Sequence, residues 1–287
     1  MRRFRPAAAG RYAIVPLLAA LALAETSAVV AQEDAARGVR QRAFDEILDL
    51  YVRDGFVYYR ALKLERARFD RVIEQLAAAR VDGLSRDEQL AFWLNAYNAL
   101  VLRTVIDRYP VDGKSTLYPA SSIRQIPGAF ETAKHMVAGR SLTLDEIEHT
   151  ILAEFHDPRV YFALGRGAIG SGRLRSEAFT AGRLETQLTD VAGECARRPE
   201  CVQVDRSGNQ VLASSIFSWR EREFAAAYSG AAPSRFSSRS PIERAILAYV
   251  EPRLFGLEQE FLAHDAFELK FLPFDWSLND LTGRGGR

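Results

Sequence analysis

Apolar positions recur at helical spacing over most of this chain. Ala35–Val52 carries Phe44, Ile47, Leu48 and Tyr51 at intervals that predict a first helix. It turns at Asp54-Gly55 into a short extended run, Phe56–Tyr59, and Leu64–Ala79 reads as a second helix. Ser85 caps a third, Asp87–Tyr109, which Pro110 stops. In this third helix Leu90, Trp93, Leu94, Tyr97, Leu100 and Val101 leave almost no polar face until Arg103 and Asp107. A helix apolar nearly all round belongs in a core. Asn95 and Asn98 are therefore either core amides that stitch neighbouring loops or the lining of a site.

Residues 110–136 are loop-rich. Thr143-Leu-Asp-Glu146 is a capping box that starts a helix, Leu144–Phe155, carrying His149. Arg159–Leu164 is β-branched and aromatic and predicts a buried strand, which runs into the glycine-rich stretch Gly165–Gly172. A further helix is expected from about Thr180. Val202–Val204 and Gln210–Leu212 flank the turn Arg206-Ser-Gly-Asn209 as a hairpin. Helices at Ser215–Ala227 and Pro241–Val250 and a strand at Phe267–Phe271 complete the pattern. It implies an α+β fold: a single mostly helical domain, residues 32–287, packed on a small sheet.

The first residues stand outside that domain. Arg2, Arg3, Arg5 and Arg11 precede the apolar run Ala13–Ala24, and Val29-Val-Ala31 supplies small residues before Gln32. That order predicts a secretory signal peptide over 1–31, hence a periplasmic or secreted protein with no membrane association after cleavage. Lys and Arg number 38 against 37 Asp and Glu, with no basic stripe, which argues against a nucleic-acid partner. Cys195 and Cys201, with Pro199 between them, are expected to form a disulfide in an oxidising compartment.

Two nucleotide-like patterns fail on context. Asp112-Gly-Lys-Ser115 has Arg108 where a P-loop needs glycine. Gly165, Gly167 and Gly170 match G-x-G-x-x-G but do not open directly into a helix. No cofactor is implied. The glycine stretch is nonetheless the first candidate site, because bare N–H groups there can meet an anion. Arg166, Arg173 and Arg175 would be its cationic side chains, with Asn95 and Asn98 behind them. Ser171 with His149 as base is the candidate catalytic pair of a hydrolase or acyl transferase. A metal-dependent reading would draw on His149, Glu146, Asp145, His135 or His156.

Several segments resemble one family. Asp54-Gly-Phe-Val-Tyr-Tyr-Arg-Ala-Leu-Lys63, Ala91-Phe-Trp-Leu-Asn-Ala-Tyr-Asn-Ala-Leu100, Leu144-Asp-Glu-Ile-Glu-His149 and Phe274-Asp-Trp-Ser-Leu-Asn279 are similar to landmarks of the domain-of-unknown-function 547 family, in its order. The resemblance implies a protein of unassigned biochemistry. It also implies a departure: bacterial relatives commonly carry a cysteine pair in the glycine loop, and those cysteines fall here on Arg166 and Ser171. On this reading the chain is an exported binding domain for a small anionic ligand or a protein, with the site at residues 165–175. The hydrolase built on Ser171 and His149 is the alternative.

Overall fold

The computed structural model describes residues 42–282; the expected signal peptide and the start of the first helix lie outside these residues. Helix α1 covers residues 42–51 and leads into a two-residue hairpin, β1 (Val52–Arg53) and β2 (Phe56–Val57). Two helices follow, α2 (Tyr59–Leu64) and α3 (Arg66–Ala77). The long helix α4 (Arg86–Arg108) begins at the expected cap. Ser85 accepts from the Glu88 N–H while the Glu88 carboxylate accepts from the Ser85 N–H, satisfying two donors the first turn would leave open. From Leu90 to Ile106 this helix is buried on nearly every side, as its pattern requires.

A second hairpin, β3 (His135–Val137) and β4 (Arg140–Leu142), precedes α5 (Leu144–Glu146). The Thr143–Glu146 capping box is present. The expected helix through Phe155 does form, but it widens into a π turn at Ile147–Ile151 and tightens into a 3₁₀ turn at Leu152–Phe155.

The expected strand at 159–164 is instead a short helix, α6 (Val160–Ala163). Its start explains the error. Asp157 accepts from the Arg159 N–H, and the carbonyls of Asp157 and Pro158 accept from Val160 and Tyr161, so Asp-Pro nucleates a turn. Burial in a helical core demands an apolar run as much as burial in a sheet does, and a run this short carries no period to separate them.

Helix α7 (Leu184–Arg197) follows a 3₁₀ turn at Ala181–Arg183 and ends at the Cys195–Cys201 disulfide, whose Cα atoms are 5.2 Å apart. Strands β5 (Val202–Asp205) and β6 (Gln210–Ser214) form the expected antiparallel hairpin. Helices α8 (Ser215–Trp219), α9 (Glu221–Tyr228), α10 (Pro241–Val250) and α11 (Gly256–Ala263) come next; α11 is a helix the pattern did not show. Strand β7 (Glu268–Leu272) then joins β6 in parallel, giving the sheet order β5-β6-β7. The fold is α+β, mostly helical, with three small sheets among the described residues in place of the one expected.

One core runs through these elements, from Phe44 and Leu94 to Phe217 and Tyr249. The disulfide clips the end of α7 to the start of β5. In the chain-entropy account, a loop this short stabilises the folded state by about 2 kcal/mol. The double variant Cys195→Ser/Cys201→Ser should therefore lose about 2 kcal/mol in urea unfolding at unchanged slope; an unchanged midpoint would assign the clip no role in stability.

Candidate functional site

The glycine stretch is a structural clasp. Gly165 N–H donates to Asn98 Oδ1 at 2.8 Å and Arg166 N–H to Ser171 Oγ at 3.0 Å. Ile169 and Gly170 N–H groups donate to the carbonyls of Ser277 and Asp275, at 2.9 and 2.8 Å, while Ser171 N–H reaches Ala168 O. These donors are spent inside the fold, so the stretch does not present a nest of open N–H groups. Gly172 has a steric reason to be glycine: a Cβ there would stand 1.6 Å from the Phe162 carbonyl oxygen of α6.

Asn95 and Asn98 prove to be the stitching amides. Asn95 bonds both the N–H and the carbonyl of Phe179, each at 2.8 Å. Asn98 donates to Ala163 O at 3.1 Å and accepts from Gly165, which fixes the exit from α6. Arg173 pairs with Asp54 and Glu194, and Arg175 with Glu177, Asp190 and Glu194. Both lie among acidic partners and neither lines a pocket with Arg166.

Arg166 is buried, and its partner is Glu148. The guanidinium donates through Nη2 to Glu148 Oε1 at 2.7 Å and through Nε to Oε2 at 3.1 Å, and Nη1 reaches Tyr161 O. Arg220, between α8 and α9, donates to the same Oε1 at 2.8 Å and lies over the Tyr161 ring at 4.3 Å. Tyr97 of α4 completes the shell by donating to Oε2 at 2.9 Å. Burial alone would raise the Glu148 pKa, but the two guanidinium groups outweigh it and hold it down at about 2. A carboxylate so saturated is not a proton-transfer group at neutral pH.

This network forms the floor of a pocket of about 170 Å³. Arg124, Phe130, Trp219 and Trp276 make its walls, with Asp145 and His149 beside them. Arg124 sits on the 3₁₀ turn Ile123–Gln125, capped by Ser122. Its guanidinium lies against both the Phe130 and Trp276 rings, 4.5 Å from each, and its Nη1 pairs with Glu131. Arg124 Nε is buried with no hydrogen-bond partner among the described residues. Trp276 and Trp219 stack with centroids 6.1 Å apart and an interplanar angle of 20°, and Trp219 remains 46% exposed.

His149 and Glu148 reach this pocket from the π turn, a distortion that often marks functional sites in helices. His149 Nδ1 lies 3.0 Å from the Asp145 carbonyl oxygen. A carbonyl only accepts, so Nδ1 donates in this contact, and in that tautomer Nε2 is the acceptor. Burial, opposed by His149, raises the Asp145 pKa above its ordinary value.

Ser171 is not among the lining residues, and its Oγ and the His149 ring bond to different partners. The metal reading finds no support: among the described residues no three His, Cys, Asp or Glu side chains are grouped to hold an ion. His135 is half-buried against Thr104, and His156 is an exposed residue at positive φ. No helix of the described residues is long and apolar enough to cross a membrane.

Of the residues that line this pocket, the sequence reading names His149, Arg166 and, as a metal ligand, Asp145; it does not name Arg124, Glu148, Trp219, Arg220 or Trp276 as site residues. Glu148 carried a signal. It lies four residues from Leu144 and from Leu152, inside the apolar stripe, where a charge needs buried partners.

Residues 81–194 match the family model described as "Protein of unknown function, DUF547". The match covers a segment of the chain, 114 of its 287 residues. It runs from the loop before α4 to the middle of the last turns of α7, and so contains the Asn-Ala-Tyr-Asn stitches, the π turn and the glycine clasp. Arg124, Asp145, Glu148, His149 and Arg166 lie within the matched segment, while Trp219, Arg220 and Trp276 line the pocket from outside it. No curated protein and no solved structure matches the chain.

Proposed function

We propose that this protein is a binding domain without chemistry of its own, and that a small anion docks in the pocket above Glu148. The observation that carries the reading is Arg124: a guanidinium that lines the pocket against two aromatic rings, with a buried Nε donor left unspent. Arg124, Arg166 and Arg220 line this pocket; Glu148 engages Arg166 and Arg220 in its floor, and Glu131 pairs with Arg124 through Nη1. Arg124 is therefore the cation an anionic guest would meet. The reading moves the site from the glycine stretch to the pocket whose floor Arg166 helps to build.

The Ser171–His149 alternative draws no support from the geometry. No serine, threonine or cysteine lines the pocket. Where the family resemblance sets a cysteine, this chain has Arg166, whose charge is consumed by Glu148. We extend the proposal to the compartment: a periplasmic or secreted protein, a setting in which the Cys195–Cys201 bond persists.

Calorimetric titration with benzoate and inorganic phosphate tests the reading. A charged hydrogen bond is worth about 1.5–3 kcal/mol, so Arg124→Gln should weaken binding roughly 10- to 100-fold. Arg173→Gln, which alters the outlying arginine, should leave affinity unchanged. Absence of heat with every anion, or equal losses in both variants, would overturn the proposal.

A further inference from the structure

The groups left unspent in this pocket describe more than an anion. Arg124 Nε is a buried donor without an acceptor. Beside it stand two acceptors without donors. His149 Nε2 is left free by the Nδ1 contact to the Asp145 carbonyl, and the Asp145 carboxylate accepts no hydrogen bond among the described residues. His149 Nδ1 lies 3.8 Å from one of its oxygens. Opposite them, the half-exposed Trp219 stacks on Trp276 and offers an indole surface.

Each feature constrains the guest. An acceptor bearing negative charge answers Arg124. Hydroxyl donors answer His149 Nε2 and Asp145, because those atoms otherwise lose hydration on binding without replacement. A flat apolar face answers Trp219. The pocket, about 170 Å³, has room for roughly six water-sized groups, taking about 30 Å³ for each. It therefore fits one small ring or the end of a longer molecule, and not a folded partner.

We infer that the ligand is an acidic sugar, a pyranose ring that bears a carboxylate. It is the class that joins an anion, several hydroxyl donors and an apolar C–H face in one ring. This inference rests on the binding proposal above and narrows it. An unsubstituted aromatic acid such as benzoate supplies the anion and the flat face but no donors. A neutral sugar supplies donors and face but leaves Arg124 without a charged partner. A small amino acid such as alanine supplies an anion, and an ammonium for Asp145, but no apolar ring face for Trp219.

The experiment is a calorimetric titration of the intact protein with D-galacturonate, D-galactose, benzoate, L-alanine and inorganic phosphate in turn. Galacturonate should bind at least tenfold more tightly than each of the others, and it should change tryptophan fluorescence. In the Trp219→Ala variant the galacturonate advantage over phosphate should fall at least tenfold. Trp219 is half exposed, and a circular-dichroism melt of the variant verifies that its fold is retained. If benzoate, alanine or phosphate binds as tightly as galacturonate, the acidic-sugar inference is overturned while anion binding stands. If galactose matches galacturonate, Arg124 does not read a charge, and both this inference and the anion proposal fall. No binding by any probe also overturns both.

Discussion

Glu148→Ala should be the most destabilising single change in the pocket, with a loss of about 3–5 kcal/mol in urea unfolding. Such a figure is expected when one partner of a buried ion pair is removed and its counter-charge stays behind. Here two guanidinium groups stay behind, Arg166 and Arg220, and both are buried. Tyr97 loses its acceptor as well. A loss below about 1 kcal/mol would mean that water enters and solvates the arginines, so that the network does not hold the floor of the site.

The same carboxylate predicts an acid response. Its folded pKa, about 2, lies below the ordinary 4.5. A depressed carboxylate contributes stability that is fully present above the unfolded value and is lost as pH falls through the folded one. The wild type should therefore weaken between about pH 4.5 and pH 2, by an amount on the order of 3 kcal/mol from this group. Glu148→Gln removes the titrating group, so that part of the acid slope should vanish in urea midpoints measured across this interval. An unchanged slope would assign it to other carboxylates.

Gly172→Ala should be comparably severe, and for a different reason. The added methyl would meet the Phe162 carbonyl at 1.6 Å and its carbonyl carbon at 2.4 Å, both backbone atoms of α6. Backbone cannot swing aside as a side chain does, so the clasp or the helix must move. Losses above about 4 kcal/mol belong to such cases. Gly182→Ala, where a Cβ meets nothing within 4 Å, is the matched control and should unfold within about 0.5 kcal/mol of wild type. Equal behaviour of the two variants would show that the clasp yields at little cost.

These two positions show how unevenly the sequence disclosed the fold and the site. Local signals were legible. The capping boxes at Ser85 and Thr143, the β5–β6 turn and the all-apolar α4 were each written in a few neighbouring residues, and each is present. Signals that depend on partners elsewhere were not. Val160–Ala163 is buried among helices, and its composition fits a strand as well as a helical turn. The glycine stretch announced a close approach of backbone, which is correct at Gly172, but not that the visitor would be the chain's own α6 and its 275–277 segment rather than a ligand. His149 and Arg166 were singled out, yet their meaning lay in Glu148, Arg124 and Trp276, whose convergence depends on loops far apart in sequence. Neither periodicity nor spacing encodes such convergence.

The segment Phe274–Asn279 lies across the clasp. Ser277 and Asp275 accept from Ile169 and Gly170, Leu278 N–H reaches Ser121 O, and the Asn279 amide bonds Tyr59 and Gly55. Trp276 is carried into the pocket by this same stretch. This wall of the site comes from residues some 110 positions after Arg166 in the sequence. A chain interrupted before Phe274 would keep Arg124, Arg166 and Arg220 but lack Trp276, one of the two rings against Arg124. The pocket therefore closes only when two segments remote in sequence have met across the clasp.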